Sequence, residues 1–342
     1  MQTRVEIADF EDWRTAVGEA VKVLADGEVV ALPTETVYGL AADAFNAEAV
    51  AKVFEVKERP AFDPLIVHLG KAGDLSRVAD VPEELKAVVN KLTSTFWPGP
   101  LTLVLPKNEA VPDIVTSGLP TVGVRLSKHE VMRGVAKELG NPIAAPSANR
   151  FGRISPTSTA AVLSELEGRI PLVIDGGACA EGLESTIVAV ECQDGEPVLR
   201  LLRPGPVTRE DLRKVAKVVK AGRITDKPEA PGRLESHYAP TTPLLLFSKP
   251  EDFKPEEGKK YGLLSYRGED KDGYVGRHDW AQVEVMSPGT GKLAEAAVRF
   301  FFLLRKLDEA GLDAIVAEPV SNTRLGAAIM DRLARAAAGH SS

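Results

Sequence analysis

The sequence predicts an α/β fold in which helices flank a large, twisted mixed sheet, followed by a second, smaller α/β domain. Apolar strand-like runs alternate with amphipathic helical patterns over the first two thirds of the chain, and the alternation resumes after a proline-rich stretch. The chain has 342 residues, which suits roughly two domains. Its 44% hydrophobic and 27% charged content is typical of a globular protein.

The elements of the first domain follow from apolar periodicity. A helical pattern runs from Trp13 to Ala25, and a second runs to Lys57 with Asn46 as its expected N-cap. The segment 198–202 is compatible with antiparallel pairing, so we expect a mixed sheet. Further strands are predicted at 29–32, 65–69, 101–105, 122–126, 143–145, 172–175 and 186–190, and further helices near 82–94 and 158–167.

A change of composition predicts the domain boundary. Residues 222–243 are rich in polar residues and prolines, which is typical of a linker, yet they include the aromatic pair His237 and Tyr238. We therefore predict a catalytic domain at 1–221, a linker at 222–243 and a C-terminal α/β domain at 244–342. The last domain is expected to contain strands at 244–247, 262–265, 283–286 and 314–317 and helices at 292–310 and 325–337.

Charge and cysteine content exclude several classes. The net charge of −7 argues against strong, direct nucleic-acid binding through a generally basic surface. Cys179 and Cys192 lack the spacing and flanking ligands of a zinc site or a disulfide framework. The sequence has neither a signal-peptide pattern at its start nor an apolar run long enough for a membrane span. We expect a cytoplasmic protein that binds no membrane.

Hydroxyl and basic residues at the ends of apolar strands indicate a pocket for an anionic ligand. The strand at 29–32 runs into Pro33, which ends its hydrogen-bonding ladder, and a run of hydroxyl residues follows at 34–38. Lys57, Arg59, Arg125 and Arg203 also follow or end predicted elements. Several cations with hydroxyl groups suit a ligand such as a nucleoside triphosphate. Turn hydroxyls and cations at a helix C-terminus also have purely structural roles.

Other catalytic motifs are missing from the sequence. It has no P-loop and no G-x-G-x-x-G that opens a helix, so phosphate would be bound by other means. Ser147 lies in Pro-Ser-Ala-Asn rather than in G-x-S-x-G, which disfavours a hydrolase nucleophile. Glu35 and Asp175 are candidate acid/base groups near strand ends, although they form no obvious dyad.

Eight ordered motifs closely resemble the threonylcarbamoyl-AMP synthase family, whose catalytic module is the YrdC-like domain. His-Tyr-Ala-Pro at 237–240 is similar to the linker of the longer, two-domain branch, so the resemblance covers nearly the whole chain. The motifs are Pro-Thr-Glu-Thr-Val-Tyr-Gly-Leu at 33–40, Lys-x-Arg-Pro at 57–60, Pro-Leu-Ile-Val-His at 64–68, Trp-Pro-Gly-Pro-Leu-Thr at 97–102, Val-x-Val-Arg at 122–125, Pro-Ser-Ala-Asn at 146–149, Glu-Ser-Thr-Ile at 184–187 and Leu-Arg-Pro-Gly at 202–205.

The resemblance implies a YrdC-like catalytic domain, a Rossmann-like C-terminal domain and a specific reaction. L-threonine, ATP and bicarbonate or CO₂ would give threonylcarbamoyl-AMP and pyrophosphate. A partner tRNA threonylcarbamoyl transferase complex would then transfer the threonylcarbamoyl group to an adenosine of tRNA. Such a reaction depends on positioning and charge neutralisation, so it needs no covalent enzyme nucleophile.

The resemblance also implies the site residues. Magnesium would be held mainly by the ATP phosphates and water, with no protein side chain as ligand. No catalytic residue is assigned; His68 and Lys57 are candidates, and the carbamate of the substrate is an alternative base. L-threonine would be bound by Thr34, His68, Arg125, Ala145 and Ser185, and ATP by Lys57, Arg59, Asp63, Thr121, Ser147, Asn149, Ser155 and Arg203.

Two positions depart from the family pattern. Asp63 stands where relatives often have Asn, so contact with ribose or metal is favoured over contact with phosphate. Glu235 stands where relatives commonly have an aromatic or basic residue. We hypothesise that the linker, with Glu235, His237 and Tyr238, forms a lid that keeps water from a labile intermediate.

Two other functions were compared with the synthase. An RNA-binding module is disfavoured by the acidic charge balance and the lack of nucleic-acid-binding aromatic patterns. A carbamoyltransferase of the hydrogenase-maturation type resembles a longer chain with cysteine-rich zinc segments, which two isolated cysteines do not supply. The role of the C-terminal domain, the oligomeric state, direct contact with tRNA and the choice between bicarbonate and CO₂ stay open.

Overall fold

A computed structural model describes residues 2–9, 12–222, 228–232, 234, 236–289 and 291–339. The chain divides into two compact units. Unit 1 comprises Met1–Phe151, Pro156–Ala180 and Glu184–Arg233. Unit 2 comprises Gly152–Ser155, Glu181–Leu183 and Leu234–Ser342. Of the predicted linker, residues 228–232 therefore belong to unit 1, and residues 234 and 236–243 belong to unit 2. The boundaries of the linker at 222 and 243 stay a prediction.

The described residues of unit 1 form an 11-stranded mixed sheet with flanking helices, in the order β1-β8-β2-β3-β7-β4-β6-β5-β9-β10-β11. The strands are β1 (Arg4–Ile7), β2 (Val30–Leu32), β3 (Gly39–Asp43), β4 (Ile66–His68), β5 (Leu101–Pro106), β6 (Thr121–Arg125), β7 (Ile143–Ala144), β8 (Leu172–Asp175), β9 (Thr186–Gln193), β10 (Glu196–Arg203) and β11 (Lys217–Lys220). The helices are α1 (Trp13–Ala25), α2 (Ala47–Lys57), α3 (Glu83–Phe96), α4 (Asp113–Thr116), α5 (Glu130–Leu139), α6 (Thr159–Leu166) and α7 (Arg209–Leu212).

The sheet is mixed, as the sequence predicts. β10 pairs antiparallel with β9, whereas β4 and β6 are parallel. Asn46 is the N-cap of α2, and its side chain accepts hydrogen bonds from the amides of Glu48 and Ala49 at 3.1 Å each. These contacts satisfy two of the amides that a helix start leaves without partners.

The sequence analysis missed two elements that position the site. β3 begins at Gly39, inside the motif at 33–40, and its small residues give little strand signal. Helix α5 contains Gly134, which lowers its helix propensity. A Cβ at Gly134 would lie 2.7 Å from the ring of Trp13. This glycine therefore allows close packing of α5 on α1.

Apolar layers cover the two faces of the sheet differently. One face carries the larger core, with Val67, Leu103 and Val124 among its strand residues. On the opposite face, α1 and α5 pack over β8, β2, β3 and β7. The same face continues over β4, β6, β5, β9 and β10, where it carries a smaller apolar cluster that includes Ile66 and Ile187. The candidate site lies on this second part.

The described residues of unit 2 form a four-stranded parallel sheet in the order β12-β15-β13-β14, which agrees with the predicted Rossmann-like α/β domain. No helix in the described ranges is long and apolar enough to cross a membrane. The strands are β12 (Leu244–Leu246), β13 (Tyr261–Ser265), β14 (Gln282–Val285) and β15 (Ala314–Ala317), and the helices are α8 (Leu293–Asp308) and α9 (Leu325–Ala338).

Candidate active site

One row of polar side chains crosses the second part of this sheet face. His68 of β4 pairs with Arg125 of β6, and Arg125 pairs with Thr102 of β5. Ile187 of β9 pairs with both Thr102 and Arg203, the last residue of β10. Cross-strand partners point to the same face of a sheet. The register thus gathers basic and hydroxyl groups from four strands, all of them buried.

Arg125 is held by the loop that follows β2. Its Nη2 lies 2.7 Å from Glu35 Oε1, and its Nη1 donates to Thr36 Oγ1 at 2.9 Å. Its Nε donates to the carbonyl of Gly99 at 3.3 Å. The Nη2–Oε1 contact lacks good hydrogen-bond alignment, so it is best described as a buried ion pair.

Glu35 is the anion of that pair. Burial raises the pKa of its carboxyl, but Arg125 and a hydrogen bond from Ser127 outweigh burial and lower that pKa to about 2. Ser127 Oγ donates to Glu35 Oε2 at 2.5 Å. Glu35 is therefore ionised at neutral pH, which excludes it as a general acid.

Thr34 organises its own loop. Its hydroxyl donates to the carbonyl of Val37 at 2.6 Å and accepts from the amides of Thr36 and Val37 at 3.0 and 3.2 Å. Tyr38 fixes the far end of the loop by donating to the carbonyl of Gly177 at 2.7 Å. The loop is thus shaped by local hydrogen bonds before any ligand binds.

His68 is buried beside Arg125. Burial, and then the charge of Arg125, lower the pKa of the imidazole to about 3, so the ring is neutral at neutral pH. Its Nδ1 accepts no hydrogen bond from any residue in the described ranges. Ala145 directly follows β7, which neighbours β4 on the side opposite β6, and its amide donates to the carbonyl of Ile66 at 2.9 Å. An uncharged ring with an open nitrogen can accept a hydrogen bond from a ligand.

Lys57 joins the end of α2 to the segment after β7. Its Nζ donates to the carbonyl of Ser147 at 2.6 Å and to the carbonyl of Asn149. Burial, and then the charge of Arg59, hold the pKa of Lys57 well below its usual range. The Asn149 amide donates to the carbonyl of Arg150 at 2.8 Å. Lys57 thus positions the Pro-Ser-Ala-Asn motif.

Arg59 is folded back onto the loop that follows it. Its Nη2 lies 2.8 Å from Asp63 Oδ2 and donates to the carbonyl of Pro64 at 2.9 Å, and its Nε donates to the carbonyl of Asp63 at 3.0 Å. Asp63 is completely buried. Burial raises the pKa of its carboxyl, while Arg59, Lys57 and Arg203 oppose that rise. This acid therefore lies within the electrostatic reach of three basic side chains.

Arg203 binds the residue that precedes β9. Its Nε donates to the carbonyl of Ser185 at 3.1 Å, and its Nη2 donates to Ser185 Oγ at 3.2 Å. Ser185 Oγ also lies 2.8 Å from Thr102 Oγ1. Ser185, which is expected to bind threonine, thus contacts Arg203, which is expected to bind the nucleotide. The two predicted groups of binding residues are therefore adjacent.

Linker residues of unit 1 cover part of this face. Ala230 belongs to the apolar cluster on Ile66 and Ile187. The carbonyl of Pro231 accepts from Arg203 Nη1 at 3.4 Å. Thr121, the first residue of β6, lines a space of about 10 Å³ beside Ala230 and Pro231, which is no larger than about one water needs.

The structure brings most of the predicted residues together, but not all of them. All five residues expected to bind threonine, and six of those expected to bind ATP, belong to unit 1 and to the strands and loops just described. They are Thr34, His68, Arg125, Ala145 and Ser185 for threonine, and Lys57, Arg59, Asp63, Ser147, Asn149 and Arg203 for ATP. Thr121 lies at the opposite end of β6 from Arg125. Ser155, His237 and Tyr238 belong to unit 2. Glu235 lies outside the described residues.

His237 and Tyr238 are embedded in unit 2. The His237 amide donates to the carbonyl of Arg335 at 3.3 Å. The Tyr238 ring lies 5.7 Å from that of Phe301, and the guanidinium of Arg332 lies 5.4 Å from its centre. Both side chains are almost completely buried.

Sequence reasoning named Glu35 only as a candidate acid/base group and Thr36 only as part of the hydroxyl run, and it assigned no role to Thr102 or Ser127. Glu35 and Thr36 lie within a motif that the sequence analysis singled out, so their position was available, whereas their contact with Arg125 depends on the sheet order. Thr102 is recognisable only through its register with Arg125. Ser127 has no sequence signal that we can identify.

The fold and the site together define an α/β protein in which arginine, lysine and hydroxyl side chains form a buried cluster on one face of the large sheet. A family model described as "Telomere recombination", for Sua5, YciO and YrdC proteins, matches residues 22–205. A second model, described as "Threonylcarbamoyl-AMP synthase, C-terminal domain", matches residues 207–338. The chain therefore belongs to the threonylcarbamoyl-AMP synthase family.

Relatives over nearly the whole chain agree with this assignment. The chain is 39% identical to threonylcarbamoyl-AMP synthase of Pyrococcus abyssi, covering 96% of this chain and 95% of that protein. It is also 39% identical to the Bacillus subtilis enzyme of the same name, over 94% and 93%. Among solved structures, P. abyssi Sua5 complexed with L-threonine has a TM-score of 0.84 and 37% identity, covering 98% of each chain. The predicted family and fold are thus confirmed.

Proposed function

We propose that this protein synthesises threonylcarbamoyl-AMP from L-threonine, ATP and bicarbonate or CO₂, with release of pyrophosphate. The observation that carries the proposal is that both family models match consecutively, from residue 22 to residue 338, over a site with four buried basic side chains. The relatives of full length carry the name threonylcarbamoyl-AMP synthase. The reaction would make this chain a nucleotidyltransferase.

The amino acid would occupy the part of the site around Arg125. Arg125 presents a planar fork of donors, which suits a carboxylate such as that of threonine. Neutral His68 and the Ser185 hydroxyl would form hydrogen bonds with its amine and hydroxyl. Ala145 would contribute its backbone, and Thr34 would shape the loop. The P. abyssi Sua5 complex with L-threonine supports this substrate.

ATP would occupy the part of the site around Lys57, Arg59 and Arg203. A triphosphate carries about four negative charges, and these three basic groups, buried and held by backbone carbonyls, offer a preorganised environment for it. Ser147 and Asn149 would supply further polar contacts. Asp63 is the exception, since an acid repels phosphate.

The proposed chemistry forms a carbamate and then an acyl phosphate bond. The uncharged threonine amine attacks CO₂ and loses a proton, or reacts with bicarbonate and releases water. A carbamate oxygen then attacks the α-phosphorus, and the bond to pyrophosphate breaks. The pKa of about 3 for His68 makes it a weak base, which favours the carbamate or solvent as proton acceptor. The protein's role is to position and to neutralise charge.

Magnesium is proposed as a phosphate-bound ion. The described residues contain no group of three carboxylate, histidine or cysteine side chains that could hold a metal by themselves. Mg²⁺ keeps several waters and accepts phosphate ligands, so the nucleotide would supply most of its coordination. When bound, it would withdraw charge from the phosphates and assist departure of pyrophosphate.

The linker is proposed to act as a lid. Ala230 and Pro231 pack on the site face of unit 1, and His237 and Tyr238 contact Arg335 and Phe301 of unit 2. Such a segment could exclude water from a labile product. Deletion of residues 222–342 should then reduce product lifetime; an unchanged lifetime and turnover would argue against the lid.

Partners and location follow from the product. A transferase that passes the threonylcarbamoyl group to tRNA must consume it, so we propose a cytoplasmic enzyme that acts before such a complex. Direct tRNA binding is not expected from the acidic charge balance.

Pyrophosphate release tests the proposed function. ATP, L-threonine and bicarbonate are each supplied or omitted, and serine replaces threonine in a parallel reaction. We expect release that needs all three and that falls with serine. Release without bicarbonate would indicate simple amino-acid adenylation, and no release in any mixture would favour an RNA-binding function, which a gel shift at physiological salt would detect.

A further inference from the structure

Asp63 combines three properties that are unusual in one side chain. It is completely buried, and it lies in the short loop that returns from α2 to β4. Its Oδ2 approaches Arg59 Nη2 at 2.8 Å. Yet neither carboxylate oxygen accepts a well-aligned hydrogen bond from any part of the chain that the structure describes.

A buried carboxylate in this state needs an explanation. Buried polar atoms nearly always have hydrogen-bond partners, and a buried charge is costly unless it is paired. Asp63 is compensated by charge, through Arg59, Lys57 and Arg203, rather than by hydrogen bonds. An ion pair without aligned hydrogen bonds is easier to exchange for another anion than one fixed by them.

The basic side chains next to Asp63 are buried close together and repel each other. Lys57 and Arg59 are two positions apart and both are buried, and the charge of Arg59 opposes that of Lys57. Asp63 and then Glu165 are the acids that offset this repulsion at Lys57. A carboxylate among these cations stabilises the site when phosphate is absent.

We propose that Asp63 is an internal counter-anion that neutralises the basic cluster of Lys57, Arg59 and Arg203 in the empty site and thereby weakens the binding of polyphosphate. The inference rests on the proposed function, which places ATP at these residues. Asp63 is thus a positioning residue and not a ligand of the nucleotide. The weaker binding of polyphosphate that Asp63 causes is useful, because an enzyme that releases pyrophosphate must not bind polyphosphate too tightly.

The proposal predicts that Asp63→Asn strengthens pyrophosphate binding, whereas substitution of a binding-site residue usually weakens it. Asn has nearly the same shape but no charge, so the cluster gains one net positive charge and loses its internal competitor. Affinity for pyrophosphate should therefore rise about tenfold or more. The ligand-free variant should also melt at a lower temperature, because its buried cations lack their counter-ion.

The test is isothermal titration calorimetry of the full chain with pyrophosphate and with ATP, in EDTA and again with Mg²⁺. Glu109→Gln removes one negative charge from an exposed side chain and serves as the matched control. We expect a lower Kd for Asp63→Asn in EDTA and in Mg²⁺, and a Kd within about twofold of wild type for the control. If Asp63→Asn does not fold, Asp63→Ser removes the same charge with a smaller side chain.

The opposing outcomes are distinct. Unchanged or weaker binding of pyrophosphate by folded Asp63→Asn in EDTA would overturn the proposal. A loss that appears only with Mg²⁺ would make Asp63 a metal ligand, which also overturns it. A wild-type protein that binds neither ATP nor pyrophosphate would instead refute the proposed function.

Discussion

Substitution of Glu35 by Gln tests the electrostatics of the Arg125 side of the site. Glu35 is 5% exposed, so its charge is poorly screened by solvent. The net effect of its surroundings moves the pKa of this carboxyl from 4.5 to about 2, and a shift of that size corresponds to about 3 kcal/mol. Removal of one partner from a buried pair costs about 3–5 kcal/mol. We expect Glu35→Gln to lower the free energy of unfolding by about 3 kcal/mol at pH 7.

The pH dependence gives this prediction its sign. A carboxyl whose pKa is lower in the folded state contributes fully above its unfolded pKa, and its contribution falls as the pH drops towards the folded value. For Glu35 this window runs from about pH 4.5 down to about pH 2. The stability difference between wild type and Glu35→Gln should therefore shrink by about half at pH 3.

Urea denaturation, followed by far-UV circular dichroism at pH 7, 4 and 3, measures both quantities. Glu109→Gln is again the control, and its effect should stay within about 0.5 kcal/mol at every pH. Arg125→Gln and the double variant complete a thermodynamic cycle, in which the pair should show a coupling of about 2–3 kcal/mol. A cost below about 1 kcal/mol at pH 7, or a difference that does not change with pH, would refute this description of the ion pair.

Three further substitutions probe the framework and the site. Gly134→Ala places a Cβ 2.7 Å from the Trp13 ring, so we expect a loss of about 1–3 kcal/mol in urea denaturation without loss of activity per folded molecule. Tyr38→Phe removes the hydrogen bond to the Gly177 carbonyl, and it should lower stability by about 1–3 kcal/mol; an unchanged melting temperature would contradict this. Lys57→Met removes a buried donor from the proposed ATP site, and pyrophosphate release should fall about 10²-fold or more, with a control melting curve to show that the variant folds.

The sequence predicted well what depends on local pattern. The helix from Trp13 to Ala25 and the N-cap at Asn46 were both recognisable, because periodicity and capping are properties of a few neighbouring residues. β3 was missed because its Gly and Ala residues are placed in the sheet by their neighbours and not by propensity. α5 was missed although its apolar residues recur at helical spacing; Gly134, which lowers helix propensity, permits its close packing against Trp13.

The site shows the same division between local and distant information. Motifs indicated that Lys57, Arg59 and Arg125 carry function, since each follows or ends an element. That Arg125 meets Glu35, or that Arg203 meets Ser185, depends on a strand order in which β6, β5, β9 and β10 are neighbours. No window of adjacent residues contains this order.

The two carboxylate–arginine pairs of the site are alike in composition and different in construction. Glu35 pairs with Arg125 and also accepts a hydrogen bond from Ser127, and its pKa is lowered to about 2. Asp63 pairs with Arg59, accepts no aligned hydrogen bond from the described residues, and burial raises its pKa. Hydrogen bonds to the charged form of a carboxylate favour that form, so Glu35 is fixed as an anion whereas Asp63 is held by charge alone.

This contrast predicts opposite consequences of the same chemical change. Glu35→Gln should be costly in stability, because it disrupts a hydrogen-bonded framework around Arg125. Asp63→Asn should cost less, because it breaks no aligned hydrogen bond, and it should strengthen polyphosphate binding. Parallel measurement of unfolding free energy and pyrophosphate Kd on both variants separates the roles. If Asp63→Asn proved the more destabilising of the two, then Asp63 would be the structural member, and the exchange of its charge for phosphate would have no basis.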